Sequence, residues 1–293
     1  MDVVRISDGL GNQMFQYAFA RKISILTGKM VYLDTRFINN EDEQQMENNF
    51  YFRKKMGYRQ YGLDHFRIIL QSADEKLLSH WSYLQRSDSK QKAMYDFSII
   101  NRLIWQYKNE ELNFNGEILR SGIKFPMYYQ GYFFDLKYFD DIKSVLQREF
   151  SLKKKMKLSR MLQEIIKNRN TVSLHVRRGD FLRLNRDISN SEYYAKAIRL
   201  IENEVEDPIY MIFSDDIGWV EKNMDIPREK VYVSNMCFAD YEELTIMKYC
   251  KNNIIANSTF SYWAAYLNSN ADKIVICPKR WKTAIIPSDW IMV

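Results

Sequence analysis

The sharpest chemical signal in the chain is His175-Val176-Arg177-Arg178-Gly179-Asp180, at the carboxyl end of a run, Thr171–Val176, that reads as a buried strand. Two guanidinium groups at one strand end are costly to bury unless anions meet them. A guanidinium fork matches phosphate oxygens two at a time and stays charged at any working pH. Gly179 lets backbone come close to a ligand. A structural Arg–Asp pair in a loop is the bland alternative. For Asp180 two roles stand level: a base for an attacking hydroxyl, or a carboxylate that orients Arg177 or Arg178. Asp8 and His175 are weaker candidates for the base.

A second segment, Asn257-Ser258-Thr259-Phe260-Ser261, joins another strand end to a helix start, where free N–H groups and the helix dipole favour anions. Its hydroxyls serve equally well as ordinary helix caps. A third, Gly9-Leu10-Gly11-Asn12-Gln13, reads as a loop. It departs from the dinucleotide fingerprint G-x-G-x-x-G because Met14 stands where the third glycine belongs. The amides of Asn12 and Gln13 suit sugar hydroxyls, with a merely structural turn as an equal alternative. No two aspartates have D-x-D spacing, and His65, His80 and His175 show no paired ligand spacing. No metal site is expected, and a diphosphate leaving group would then need arginine and helix dipoles.

The elements that must position these residues follow from hydrophobic periodicity. Val3–Ile6 reads as a strand, Met14–Leu26 as a helix ended by Gly28, and Met30–Leu33 as a second strand. Asn39–Asn49 is polar and reads as a loop. Helical patches at Asp74–Trp81 and Ile99–Tyr107, a strand at Met127–Gln130 and a helix at Tyr138–Phe150 complete the first half. In the second half, strands at 171–176, 209–213, 231–233, 253–256 and 273–277 alternate with helices, and Ser189-x-x-Glu192 is spaced as a capping box for helix Tyr193–Glu204. Such alternation implies a parallel, doubly wound sheet with ligands at the carboxyl ends of its strands.

The chain has 293 residues, 46% hydrophobic and 27% charged, which excludes general disorder and suits two α/β lobes. A boundary at the lysine run Lys153–Lys157 gives lobes 1–155 and 156–293. The net charge of +6 mildly favours anionic partners, but the basic residues are dispersed, so nucleic acid is not expected. Aromatic residues make up 15%, and rings with a polar edge suit sugars and nucleobases as well as cores, with core the better reading for any single one. Cys237, Cys250 and Cys277 are odd in number and sit in apolar settings, so all three are expected to be reduced and buried. With no signal-like or membrane-spanning run, the expected location is cytoplasmic.

These segments, in this order, resemble the bacterial α-1,2-fucosyltransferases of glycosyltransferase family 11. The matching stretches are Gly9–Ser24, Tyr129–Phe139, HVRRGDF at His175–Phe181, IFSDD at Ile212–Asp216, NSTFSYWAAYLN at Asn257–Asn268 and CPKRW at Cys277–Trp281. The resemblance implies a GT-B architecture, two Rossmann-like lobes with parallel sheets facing a central cleft. It implies GDP-β-L-fucose as donor, a terminal β-galactoside as acceptor through its 2-hydroxyl, inversion at the fucose carbon, and no cofactor. The N-terminal lobe would serve the acceptor, with Asn12 and Gln13, and the C-terminal lobe the donor. Arg177 and Arg178 would meet the diphosphate, and the Ser258–Ser261 turn, with His175 and Asn257, the nucleotide end. A carboxylate or amide such as Asp215, Asp216 or Asn253 would read guanine. Alanine at Arg178, and to a similar or lesser extent at Arg177, is expected to leave a folded but nearly inactive protein. If the acceptor is lipid-linked, peripheral membrane contact is implied. Residues 39–124 match no motif, and acceptor choice is expected to reside there. The competing readings are a fucosyltransferase of another linkage or acceptor, and a non-catalytic sugar-nucleotide-binding protein.

Overall fold

The computed structural model describes residues 1–39, 60–79, 105–109, 114–121, 126–279, 281 and 283–293. Most of the expected loop at Asn39–Asn49, His80, Trp81, residues 99–104 and Arg280 lie outside the described residues. The chain divides into two compact units, Met1–Ser151 and Leu152–Val293.

In the first unit, strands β1 (Asp2–Arg5), β2 (Val31–Asp34), β3 (Trp105–Asn109) and β4 (Met127–Gly131) form a parallel sheet in the order β2-β1-β4-β3. Residues 105–107, expected to be helical, are strand, because pairing of Trp105–Asn109 with Met127–Gly131 overrides local propensity. The helix after β1 starts earlier than expected, at Leu10, and runs to Thr27. Asn12 and Gln13 therefore lie in its first turns, not in a loop. Gly28 ends it in the left-handed conformation (φ 65°), with its N–H bonded to the Ser24 carbonyl. Phe15 and Phe19 fix this helix to the segment after β4, Phe19 stacking on Phe133 at 3.7 Å and Phe15 meeting Phe134 edge-on. The helix expected over Tyr138–Phe150 begins as two 3₁₀ turns, the first capped by the Asp135 carboxylate, and becomes α-helical only at Lys143–Glu149.

In the second unit, β5 (Asn170–Val176), β6 (Pro208–Ser214), β7 (Lys230–Tyr232), β8 (Asn252–Ile254), β9 (Val275–Cys277) and β10 (Ile291–Met292) pair in parallel in the order β10-β9-β8-β5-β6-β7. Counted from β5, this is the doubly wound order 3-2-1-4-5-6, in which connections leave in opposite directions from the middle pair. That switch point lies between β5 and β8. Strand and helix faces bury Val172, Leu174, Val176, Ile198, Ile201, Ile212, Ile254 and Ile276 in one core. Helix Tyr193–Glu204 also holds the strand ends. The Tyr193 hydroxyl donates to the Ile255 carbonyl at 2.5 Å or the Ile276 carbonyl at 3.0 Å, and the Tyr194 hydroxyl to the His175 carbonyl at 2.9 Å.

Two local expectations are corrected. Ser189 does not cap helix Tyr193–Glu204, whose N-cap position is Glu192 without a side-chain bond. The Ser189 hydroxyl is drawn instead to Arg178 and Asp187. Cys250 and Cys277 are buried, but Cys237 is exposed, in a left-handed conformation that closes a short 3₁₀ turn (φ 57°). Among the described residues, no helix is long and apolar enough to cross a membrane.

Candidate active site

The register of β5 against β6 pairs Val176 with Ser214, so the next residues on each strand, Arg177-Arg178 and Asp215-Asp216, face each other across adjacent strand ends. The Arg177 guanidinium bonds Asp180 at 2.6 Å and Asp215 at 2.8 Å, while its side chain remains 23% exposed. Arg178 is buried. Its Nε donates to Asp216 at 3.1 Å, its Nη1 meets Asp187 at 3.4 Å and Ser189, and its guanidinium lies 3.7 Å over the Trp219 ring. The Arg178 backbone N–H donates to Asp215 at 2.8 Å.

Burial decides the roles here. Arg178 has its charge matched and its planar face covered, which is the environment of a structural pillar. Arg177 uses two nitrogens on carboxylates that set its orientation, and keeps further N–H donors for a ligand. Gly179 is required for a different close approach than expected: a Cβ at this position would stand 2.6 Å from Asp215 Oδ2. The glycine admits a carboxylate, and that carboxylate holds both arginines. Asp180 is buried and accepts from Arg177 at 2.6 Å, the contact that its orienting alternative requires.

The other residues singled out from the sequence divide between structure and surface. Asp215 and Asp216 hold arginines, and Asp216 also caps helix Ile217–Asn223, while both side chains stay partly exposed. Asn253 is fully buried in β8. Its amide donates to Ser173 and Met247 and accepts from Asn268, which removes it as a base reader. Ser258 caps helix Thr259–Leu267 through the Phe260 N–H, and buried Ser261 donates to the Ser258 carbonyl. Thr259 and Phe260 are partly exposed at that helix start. Gln13 is buried. Its amide donates to the carbonyls of Asp8 and Gln60 and accepts from the Gly62 N–H, so it is a structural staple and not a sugar ligand. Asn12 is half-buried on the same helix.

Two polar atoms beside the β5–β8 switch point are buried with no hydrogen-bond partner among the described residues: Nδ1 of His175, at the end of β5, and Oδ1 of Asn257, after β8. The Asn257 amide nitrogen is anchored on the Arg186 carbonyl at 2.8 Å. His175 lies near the Phe260 ring, with centroids 5.7 Å apart. Burial, aided by the Arg177 charge, pushes the imidazole down to about 3, so it is neutral at any ordinary pH. Leaving such atoms unmatched is unfavourable unless a ligand supplies the missing partners.

The family model for glycosyl transferase family 11 matches residues 2–288. The chain belongs to glycosyltransferase family 11. Over 98% of both chains it is 31% identical to the O-antigen biosynthesis glycosyltransferase WbnK of Escherichia coli. It is 25% identical to an α-1,2-colitosyltransferase of the same organism, over 95% of this chain and 91% of that one. Among solved structures it is similar to a FUT1 mutant of Arabidopsis thaliana in complex with GDP. The TM-score is 0.53 at 11% identity, covering 94% of this chain and 69% of that one. The fold is that of the GT-B class.

Two features of this family 11 glycosyltransferase have no signal in the motifs. Glu243, in the first turn of helix Asp240–Tyr249, lies beside Ser234 and is pushed up to about 7, mainly by burial and also by the charges of Asp240 and Asp215. Ser189 and Asp187 complete the shell of Arg178 from a loop whose serine spacing imitates a helix cap. Asp34, which follows the first βα unit, is spent on Arg36 and the Tyr128 hydroxyl, as befits a site that is not a dinucleotide fingerprint.

Proposed function

We propose that the enzyme transfers L-fucose from GDP-β-L-fucose to the 2-hydroxyl of a terminal β-galactoside, with inversion, and that the second unit holds the donor. The observation that carries this reading is the pair of buried, unmatched atoms, His175 Nδ1 and Asn257 Oδ1, at the nucleotide-binding position of a doubly wound sheet, beside the partly exposed Arg177. The α-1,2-fucosyltransferase motifs support the sugar and the linkage.

In this reading Arg177 steadies the diphosphate as the bond to the fucose carbon loosens and negative charge grows on the leaving phosphate. Two fixed carboxylates hold its guanidinium, so it need not reorganise during the reaction. His175, neutral, and Asn257 complete their hydrogen bonds on the nucleotide. Guanine presents N1–H and N2–H₂ donors, and Glu243, a partly buried carboxyl that no arginine occupies among the described residues, accepts them when ionised. No divalent ion takes part, because Arg177 supplies the positive charge.

Incubation with GDP-fucose and lactose in EDTA, followed by mass spectrometry and linkage analysis, should give an α-1,2-fucosylated product. GDP affinity without transfer to any β-galactoside would overturn the reading in favour of a binding protein. A second reading rests on the colitosyltransferase relative: the same attack on the same hydroxyl with a 3-deoxy analogue of fucose as donor. Assaying GDP-colitose alongside GDP-fucose separates the two.

A further inference from the structure

The chain carries a net charge of +6, and its distribution is uneven. Residues 151–161 hold Lys153, Lys154, Lys155, Lys157 and Arg160 and no Asp or Glu, so they carry +5 and leave +1 for everything else. Elsewhere basic side chains are nearly matched in number by acids, as the arginines after β5 are by Asp180, Asp187, Asp215 and Asp216. The four lysines are all exposed, and none of their ammonium groups has a salt bridge or hydrogen bond among the described residues. Arg160 has a partner, Glu164 at 3.1 Å, in an exposed pair that contributes little.

This stretch is a fixed surface of the second unit and not a loose tether. Leu152, Met156 and Leu158 are half-buried between the exposed lysines, and the Leu158 carbonyl accepts from Gln163 Nε2 at 2.8 Å. Ser159 then caps helix Arg160–Asn168 through the Leu162 N–H at 3.2 Å. No acidic residue stands in the first turn of that helix, although the positive end of a helix dipole favours one. Lysines therefore crowd toward the cationic end of a helix, and no carboxylate among the described residues pairs with them. Met161, in the same turn, is 55% exposed. An anionic surface with an apolar layer beneath it would relieve the repulsion and cover the methionine.

We propose that residues 152–161 dock the second unit on an anionic lipid surface, with the lysines among the headgroups and Met161 entering the interface. Apolar side chains interleaved with a polybasic run suit a lipid surface. Nucleic acid is the poorer partner. The stretch has no aromatic side chain to stack on a base, and a duplex gives Met161 no apolar layer to enter. Each lysine near an anionic bilayer strengthens attachment about fivefold, so four give about 10²–10³-fold. Attachment of this kind is reversible and weakened by salt, because the lysines remain in water. It needs neither donor nor acceptor, and so stands apart from the transferase reading.

The test is flotation of the full chain with phosphatidylcholine vesicles that carry, or lack, about one-third phosphatidylserine. The wild type should float with the anionic vesicles only, and raising sodium chloride from about 0.05 M to about 0.5 M should release it. The combined variant Lys153→Gln, Lys154→Gln, Lys155→Gln and Lys157→Gln should lose about 10²–10³-fold in partition, with an unchanged melting temperature. Met161→Ser should lose about fivefold, the share of a half-exposed methionine side chain. Equal flotation with neutral vesicles, or full flotation of the four-lysine variant, would overturn the proposal. Tighter binding to a DNA duplex than to the anionic vesicles would also overturn it and make the stretch a nucleic-acid site. If the four-lysine variant fails to fold, the salt series and Met161→Ser decide, and the proposal falls if neither changes flotation.

Discussion

The carboxyl ends of the central strands in the two units carry opposite chemistry. At β5–β8 and the adjoining end of β6, two arginines are set among four carboxylates, and an imidazole and a carboxamide await partners. At β1–β4, carboxamides and a tyrosine hold a single carboxylate, that of Asp8, and no lysine or arginine pairs with it among the described residues. A cationic strand end caged by acids suits a polyanion, because the cage keeps arginine placed and only the incoming phosphate needs the remaining donors. A lone, neutrally propped carboxylate suits hydroxyl hydrogens. Charge pairing thus marks the strand ends of the second unit and amide pairing those of the first.

Within the charged end, Arg177 and Arg178 invite the strongest test. Arg178→Ala should cost about 3–5 kcal/mol in denaturant unfolding, since it strands the nearly buried Asp187, unpairs Asp216 and uncovers Trp219. That would replace the expected outcome for Arg178, a folded and inactive protein, with an unstable one. Arg177→Ala should stay folded and lose about 10²–10³-fold in turnover with GDP-fucose and lactose. Equal loss of stability in both variants would break the distinction between pillar and phosphate ligand.

Glu243 sharpens the comparison more gently, through pH. With its carboxyl at about 7, it becomes ionised only as pH rises through neutrality, so the donor KM should fall between pH 6 and pH 8. Glu243→Gln should flatten that dependence. The same group is protonated in the folded chain across the interval from its ordinary value of 4.5 to about 7, where an unfolded chain would have released the proton. Its contribution to stability is therefore present below pH 4.5 and lost as pH rises through about 7. Wild type should lose more melting temperature than Glu243→Gln between pH 5 and pH 8.

Much of this was legible before any coordinates. The β-α-β opening, the alternating strands of the second half and the Arg-Arg-Gly-Asp strand end all follow from periodicity and residue type, because those strands are buried on both faces and read as apolar runs. Local spacing fails where a side chain is captured by something distant in sequence. Ser189 has the spacing of a cap, yet Arg178, eleven positions away, takes its hydroxyl. Gln13 looks like a loop amide, but contacts with Gln60 and Gly62 make it a staple. Trp105–Tyr107 follows a helical rhythm until β4 supplies a pairing edge. Asn253 reads as an amide near a nucleotide, and only the sheet register shows it facing Ser173. Each of these depends on an interstrand or interloop partner that one-dimensional patterning does not encode.

Position 179 is where the second unit can least absorb change. An alanine there would add a single carbon, but that carbon falls on the oxygen through which Asp215 grips Arg177, while the other oxygen of the same carboxylate grips the next peptide N–H. Displacing one side chain would loosen both arginines together and leave every charge in place. A substitution usually regarded as mild would thus be expected to behave like a double mutation.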